Sequence, residues 1–540
     1  MDGVVGIYYL GKNRAGASNI VHMGADATSA VQNRGNASAG IAVGNGSGLY
    51  VHGGIGGVGD ILTQNMITNF QGLHPLAFIG NVGYTKNQHP SPENTEPIRI
   101  KPKGNSSLEM MITMDGYLWK EGDLKKELEP DYRFGTRNKT EVVGALLHKY
   151  FSECGINFEA GKKLVDKLHG RATFSLCALV YDGKETRMIT LNDDRAFEPF
   201  SYGVVDDHFV VSSESCSIRR LGGFPTREFS GAEMSICSFS NGFEIKRLKA
   251  IPLLRDSFQA TYYGGPDSLF DRMMIFDKRR ALGRANVDHY GSSEATIVIP
   301  NPDSGWGVSL GVYEGIIALL EEDALDFSGY NEGGDTIKVV NRGAFERLRK
   351  MESVWPALTK KSQAIRTFQQ GEPSVRAAAV SRKFGAIDSL LRDQTVACGD
   401  DSIVKGSVSE GGSLWMLFNS GIEKLEFWIS YGPMIFPSFK EWHRGPECLH
   451  ELAAQRAFAD SAPYGKSVEE MNEAVSKMIA KKLGVDNDRV IVRYNPPDVV
   501  KKVIGPDCSY QALEADYPIA EKFWPDWLKR EVAKFGAAKK

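Results

Sequence analysis

The segment Asp400-Asp401-Ser402-Ile403-Val404-Lys405-Gly406-Ser407-Val408-Ser409 combines the groups needed to hold a phosphorylated sugar. Adjacent carboxylates accept hydrogen bonds from ribose hydroxyls, and they bind Mg²⁺ directly or through its waters. Main-chain amides of a short loop leading into a helix make a concave donor site for a phosphate monoester. Gly406 permits close backbone approach, and Ser402, Ser407 and Ser409 add hydroxyl donors. An acidic surface loop containing a glycine would read the same way on spacing alone. Two further segments weigh against that. Ile299-Pro300-Asn301-Pro302-Asp303-Ser304-Gly305-Trp306-Gly307 also joins a strand-like run to a helix-like one, and Arg366-Thr367-Phe368 precedes a basic stretch with Arg376, Arg382 and Lys383.

These segments need elements that deliver them to one place. Thr395 to Cys398 reads as a strand, followed by the polar loop and a helix from Ser413 to Asn419. Leu425 to Ile429 reads as another strand, and Ala295 to Ile299 as one that precedes a helical run through Ile316 to Leu320. Repeated strand–loop–helix units predict a parallel sheet, with ligands at the carboxyl ends of its strands. The charged stretch 321–360 reads as an insertion with one helix, Arg342 to Met351. Ser467 with Glu470 forms a capping box. It opens a helix with an apolar stripe at Val468, Met471, Val475, Met478 and Ile479, closed by Gly484. Residues 466–540 are expected to be a helical extension.

Residues 1 to about 250 read differently, as short strands bounded by Gly and Asn with a few helices between, which suggests a layered α+β domain. Asp182-Gly183 between Thr173–Tyr181 and Thr186–Leu191 is a hairpin signal. Helices are expected from Glu141 to Phe151, and from Thr28 to Asn33 with Gly35 as cap.

The 540 residues allow two or three domains, and 42% hydrophobic with 24% charged residues is ordinary globular composition. A net charge of -3 gives no reason to expect nucleic acid or a membrane surface as partner. No apolar run approaches the ~18–20 residues that span a bilayer. The start of the chain lacks signal-peptide features, and seven scattered cysteines without a CxxC suit reduced thiols, so a cytoplasmic location is expected. His443 with Cys448 is too sparse for a metal site, His89 reads as a solvated turn, and the lysine-rich end from Lys529 as a helix end. Trp306 is open to several readings: narrowing the pocket, stacking on an acceptor, or packing under its helix.

In motif order the chain resembles the glutamine phosphoribosylpyrophosphate amidotransferase family, whose reaction opens purine synthesis. That family's V-D-D-S-I-V-R-G-T-T matches Gly399 to Val408, with Gly399 in place of a branched residue, and its V-P-x-P-D-S-G matches Ile299 to Gly305. Its K-N-R-Y-V-G-R-T-F matches at Lys360 and at Arg366 to Phe368. Its L-Q-H-R-G-Q-D-A-A-G-I resembles Val31 to Ile41, and its S-S-E-S-C matches Ser212 to Cys216. The resemblance implies an α+β N-terminal-nucleophile-type glutaminase-like domain, an αββα sandwich, over residues 1–250. It implies an α/β type I phosphoribosyltransferase domain over 251–465. Ser402 to Ser409 would cradle the 5-phosphate of 5-phosphoribosyl 1-pyrophosphate (PRPP), including Ile403, Val404, Lys405 and Val408. Asp400 and Asp401 would hold the ribose hydroxyls and Mg²⁺, with Asp303 and Ser304 beside pyrophosphate and metal. Lys360 and Arg366 would act from a loop that folds over the substrate. A homo-oligomer is expected.

Four glutaminase positions depart from the family together. Its nucleophilic cysteine falls on Asp2, a far poorer acyl-transfer nucleophile. The arginine of H-V-R-Y falls on Gly83, removing a bidentate clamp for the glutamine carboxylate. The oxyanion-hole asparagine falls on Asp115, turning a donor into an acceptor. The aspartate that pairs the glutamine ammonium falls on Lys139. Glutamine hydrolysis is therefore expected to be lost. The iron–sulfur cluster of part of the family is expected to be absent too, because its cysteines fall on Ser438 and leave Cys508 without its partner. Two functions remain open: phosphoribosyl transfer to ammonia or another amine acceptor, or a non-catalytic paralogue that binds PRPP or a nucleotide and regulates an active relative.

Overall fold

The computed structural model describes residues 2–13, 17–84, 91–326, 337–360, 384–406, 412–458 and 461–538. Arg366, Ser407, Val408, Ser409 and His89 lie outside the described residues.

Two antiparallel sheets face each other in the first half. The seven-stranded one runs Phe224–Glu228, Ser201–Val205, His208–Ser212, Gly3–Tyr9, Ala77–Gly83, Ser38–Gly44, Leu49–Ile55. The six-stranded one runs Gly242–Arg247, Glu233–Ser238, Thr186–Asn192, Ala172–Tyr181, Glu109–Leu118, Ile98–Arg99. Inward residues of both, among them Val4, Tyr8, Ile79, Met111, Cys177, Leu179 and Phe209, form one core between the sheets. The outer face of the first sheet is covered by Ile20–Ala30 and Gln64–Gln71, and that of the second by Lys139–Cys154 and Phe158–Leu168. This is the αββα sandwich.

Two local expectations change. The Asp182-Gly183 hairpin forms, but through a four-residue connection. Asp182 Oδ1 accepts from the amides of Lys184 and Glu185 at 3.0 Å each, and only Gly183 takes positive φ. The helix expected at Thr28 to Asn33 instead spans Ile20–Ala30, and Gly35 is extended rather than a left-handed cap. Gly35 serves close contact: a Cβ there would lie 2.5 Å from the Gly83 carbonyl carbon.

In the second half a parallel sheet runs Ile297–Pro300, Thr395–Asp400, Lys424–Ile429, Val490–Tyr494. Its two faces follow strand alternation. Val298, Ala397 and Trp428 pack with Val308, Val312 and Ile316 of the helix Gly305–Ala324, and Val287 of the helix Ile275–Tyr290. Ile299, Val396, Cys398, Leu425 and Phe427 pack with Leu414 and Leu417 of Ser413–Asn419, and Val475 and Ile479 of Val468–Leu483. This is the α/β unit. The capping box at Ser467 and the left-handed Gly484 both form. The stretch 466–540, expected as a helical extension, also supplies the fourth strand, Val490–Tyr494, because that strand's buried Val490, Val492 and Tyr494 complete the core. No helix among the described residues is long and apolar enough to cross a membrane.

Candidate functional site

The strand Thr395–Asp400 is buried throughout and delivers the acidic pair at its carboxyl end. Asp400 Oδ1 accepts from the Asp401 amide at 2.8 Å, and Oδ2 accepts from Asn301 Nδ2 at 2.5 Å. Asp401 Oδ1 accepts from Ser402 Oγ at 2.6 Å, and Oδ2 accepts from Ser304 Oγ. The two sequence segments that flank this pair thus meet across adjacent parallel strands.

Asp400 and Asp401 are 4% and 5% exposed. Burial, and then the neighbouring charge of Asp401, push the Asp400 carboxyl well above its ordinary value, and burial raises Asp401 as well. Arg279 opposes that rise at Asp401. Asn301 Oδ1 is buried and has no hydrogen-bond partner among the described residues. Mg²⁺ fits this donor set. A dication favours ionised carboxylates, and Mg²⁺ takes one or two of them together with substrate oxygens rather than a full protein cage. Among the described residues no group of three or more His, Cys, Asp or Glu side chains forms such a cage.

Two glycines set the approach of the helix Gly305–Ala324 to this strand. A Cβ on Gly305 would lie 2.3 Å from the Gly399 carbonyl oxygen, and one on Gly399 would lie 2.8 Å from the Ser309 amide nitrogen. Gly399, a departure from the family pattern, therefore has a packing reason. Trp306, on the first turn of that helix, is 39% exposed. Lys360, at the end of the strand Leu358–Lys360, pairs with Asp303. Beyond the acidic pair, Ile403 is buried at 2% exposure, and Gly406 takes φ +66°. The Lys405 ammonium is tied to Glu451 at 2.6 Å. The Lys405 main chain forms the loop.

The second centre lies in the sandwich. Gly3 pairs with Val82, which sets Asp2 beside Gly83. The Asp2 amide donates to Asp115 Oδ1 at 3.0 Å, and Asp2 Oδ1 accepts from the Tyr84 amide at 2.8 Å. Arg34, 1% exposed, contacts Asp115 at 2.6 Å, Glu214 at 3.2 Å and the Asp2 carbonyl at 2.9 Å. Burial would raise the Asp115 carboxyl, but Arg34 and Lys440 hold it below its ordinary value. A Cβ on Gly83 would lie 2.3 Å from Ser38 Oγ. Lys139 opens the helix Lys139–Cys154, and its ammonium lies 3.5 Å from the ring centre of Tyr117, two strand positions beyond Asp115, and 3.7 Å from Glu121. Burial and the charge of Asp2 push Glu96 up to about 7, although four donors surround it: Thr113 Oγ1, the Met114 amide, Asn138 Nδ2 and Thr140 Oγ1. Arg34 lies inside a quoted motif, but its pairing with Asp115 has no local signal. Nor does Lys440, which binds the fully buried Glu198 at 2.6 Å.

A glutamine amidotransferase domain model matches residues 92–220. The chain is 27% identical over 440 residues to the amidophosphoribosyltransferase of Archaeoglobus fulgidus, covering 81% of this chain and 84% of that one. It is 26% identical over 412 residues to the amidophosphoribosyltransferase of Bacillus subtilis, covering 76% of each. In fold it is similar to the glutamine PRPP amidotransferase from B. subtilis complexed with ADP and GMP, with a TM-score of 0.70 at 22% identity over 97% of this chain and 98% of that one.

Proposed function

We propose that the chain, which is similar to amidophosphoribosyltransferases at 27% and 26% identity, transfers phosphoribosyl from PRPP to ammonia or another amine without hydrolysing glutamine. The observation that carries the reading is the meeting of Asp400 and Asp401 with Asn301 and Ser304 at the ends of adjacent parallel strands. In this reading Asp400 and Asp401 hold the ribose hydroxyls, and the 402–406 main chain takes the 5-phosphate. Asp303 and Ser304 stand beside the pyrophosphate. Mg²⁺, held by Asp400, Asp401, Ser304 and the Asn301 carbonyl, would neutralise charge on the departing pyrophosphate. The bond from C1 to pyrophosphate oxygen breaks with its electrons leaving on oxygen. The acceptor nitrogen forms the new bond to C1 and then loses a proton. The protein's share is positioning and exclusion of water. Lys360, and Arg366 on the loop expected to cover the site, would neutralise the same anion. Assembly as a homo-oligomer belongs to this reading.

Loss of glutamine hydrolysis is supported by what occupies the second centre. Asp115 presents a carboxylate, already engaged by the Asp2 amide and Arg34, where an oxyanion would need a donor. The experiment is pyrophosphate release from PRPP and Mg²⁺ with ammonium or with glutamine. Release with ammonium alone is expected, Asp400→Asn with Asp401→Asn should abolish it, and Asp2→Cys should not confer use of glutamine. Glutamine-dependent release by the unaltered protein overturns the loss. The alternative, a non-catalytic PRPP- or nucleotide-binding paralogue, is favoured by the Lys360–Asp303 pair, in which two expected site charges satisfy each other. Binding of PRPP by calorimetry with no release for either nitrogen source would select it.

A further inference from the structure

We propose that the segment 438–456 is a brace through which the N-terminal sandwich positions the phosphate-binding loop, with Lys440 and Glu451 as positioning residues. The inference rests on reading residues 402–406 as part of that loop. At its start the segment reaches into the sandwich. Lys440 Nζ lies 2.6 Å from Glu198 Oε1, which also accepts from Thr173 Oγ1 at 3.0 Å. The Lys440 ammonium lies 5.8 Å from the ring centres of Phe197 and Phe439, and those rings meet edge to face at 5.5 Å. At its end the segment holds the loop. The Ala453 amide donates to the Val404 carbonyl at 2.8 Å, Arg456 Nη1 donates to the Lys405 carbonyl at 3.3 Å, and Glu451 holds the Lys405 ammonium. Between the two ends Arg444 pairs with both Glu441 and Glu451.

The physical case is one of over-determination. Glu198 is fully buried, so its carboxylate needs a cation held in place, and Lys440 supplies it from the other half of the molecule. Holding Lys440 fixes the start of a short, compact segment. Three contacts from the far end of that segment then fix the path of Val404 and Lys405. A sandwich without glutamine chemistry would thereby retain a use.

The test uses the full chain with Lys440→Met and Glu451→Gln, each compared with the unaltered protein by amide hydrogen exchange without ligand and by titration with PRPP and Mg²⁺. Both variants are expected to speed exchange across 402–406, to leave the strand Val490–Tyr494 unchanged, and to weaken PRPP binding about tenfold. Glu451 is half-buried at the surface, so its variant tests the loop end even where loss of the buried ammonium unfolds the chain. Unchanged exchange across 402–406 in folded Glu451→Gln overturns the brace. So does a rise of equal size in Val490–Tyr494, the mark of general destabilisation. An unaltered protein that fails to bind PRPP sinks the phosphate-loop reading instead, while the exchange result still judges the coupling.

Discussion

At the scale of single residues, burial decides more than charge type. Asp256 is 3% exposed, and burial, opposed by Lys440 and reinforced by Glu198, pushes its carboxyl up to about 7. Its ordinary value is 3.8, so between the two values the native state keeps a proton that the unfolded state has released. Stability attributable to this group therefore falls as pH rises through that window. Asp256→Asn keeps an acceptor for the Phe258 amide at 3.1 Å. It is expected to raise the Tm relative to the unaltered protein at about pH 8 and to leave it unchanged near pH 4. Equal slopes of Tm against pH in the two proteins would contradict this. Composition and order of Asp400, Asp401, Ser402 and Gly406 carry the expectation of a phosphate site, because loop chemistry is local. Arg34, Glu198 and Lys440 gave no such notice, since a buried ion pair is defined by a partner far along the chain.

At the scale of elements, the meeting of the helix Gly305–Ala324 with the strand Thr395–Asp400 positions Ser304 over Asp401. That meeting depends on two positions without side chains, Gly305 and Gly399. Gly399→Val places a branched side chain where even a Cβ lies 2.4 Å from Ser309 Oγ and 2.8 Å from its amide nitrogen. A backbone neighbour gives way poorly, so the expected loss is about 3 kcal/mol, the upper end for overpacking. Denaturant unfolding measures it, and a loss below about 1 kcal/mol would show that the helix shifts freely. The same substitution should lower PRPP affinity more than Gly399→Ala does. Strand and helix identities here followed from periodicity and capping. The role of Gly399 did not, since a glycine in a strand has several uses and only the facing helix selects one.

At the scale of the whole molecule, the sandwich and the parallel-sheet unit share an aromatic core. Tyr117, Trp119 and Phe197 from the first half pack with Phe439, Trp442, Tyr517 and Leu528 from the second. Trp442 is central, edge to face with Trp119 at 5.5 Å and with Tyr517 at 4.7 Å. One cooperative unfolding transition is therefore expected by calorimetry. Trp442→Ala is expected to cost ~3–5 kcal/mol and to separate that transition into two. Two transitions in the unaltered protein would show that the shared core does not couple the halves.

The residue order alone determined what is written over short distances: the acidic doublet and its loop, the Ser467 capping box and the alternation of the strands. These signals depend on spacing within a turn or a strand, which the chain carries wherever it folds. Tertiary structure decided the rest: that Val490–Tyr494 joins the parallel sheet, that Lys405 turns to Glu451, and that Arg34 and Lys440 neutralise carboxylates in the sandwich. Those outcomes depend on desolvation and on partners up to 242 residues apart, and both exist only once the chain has packed.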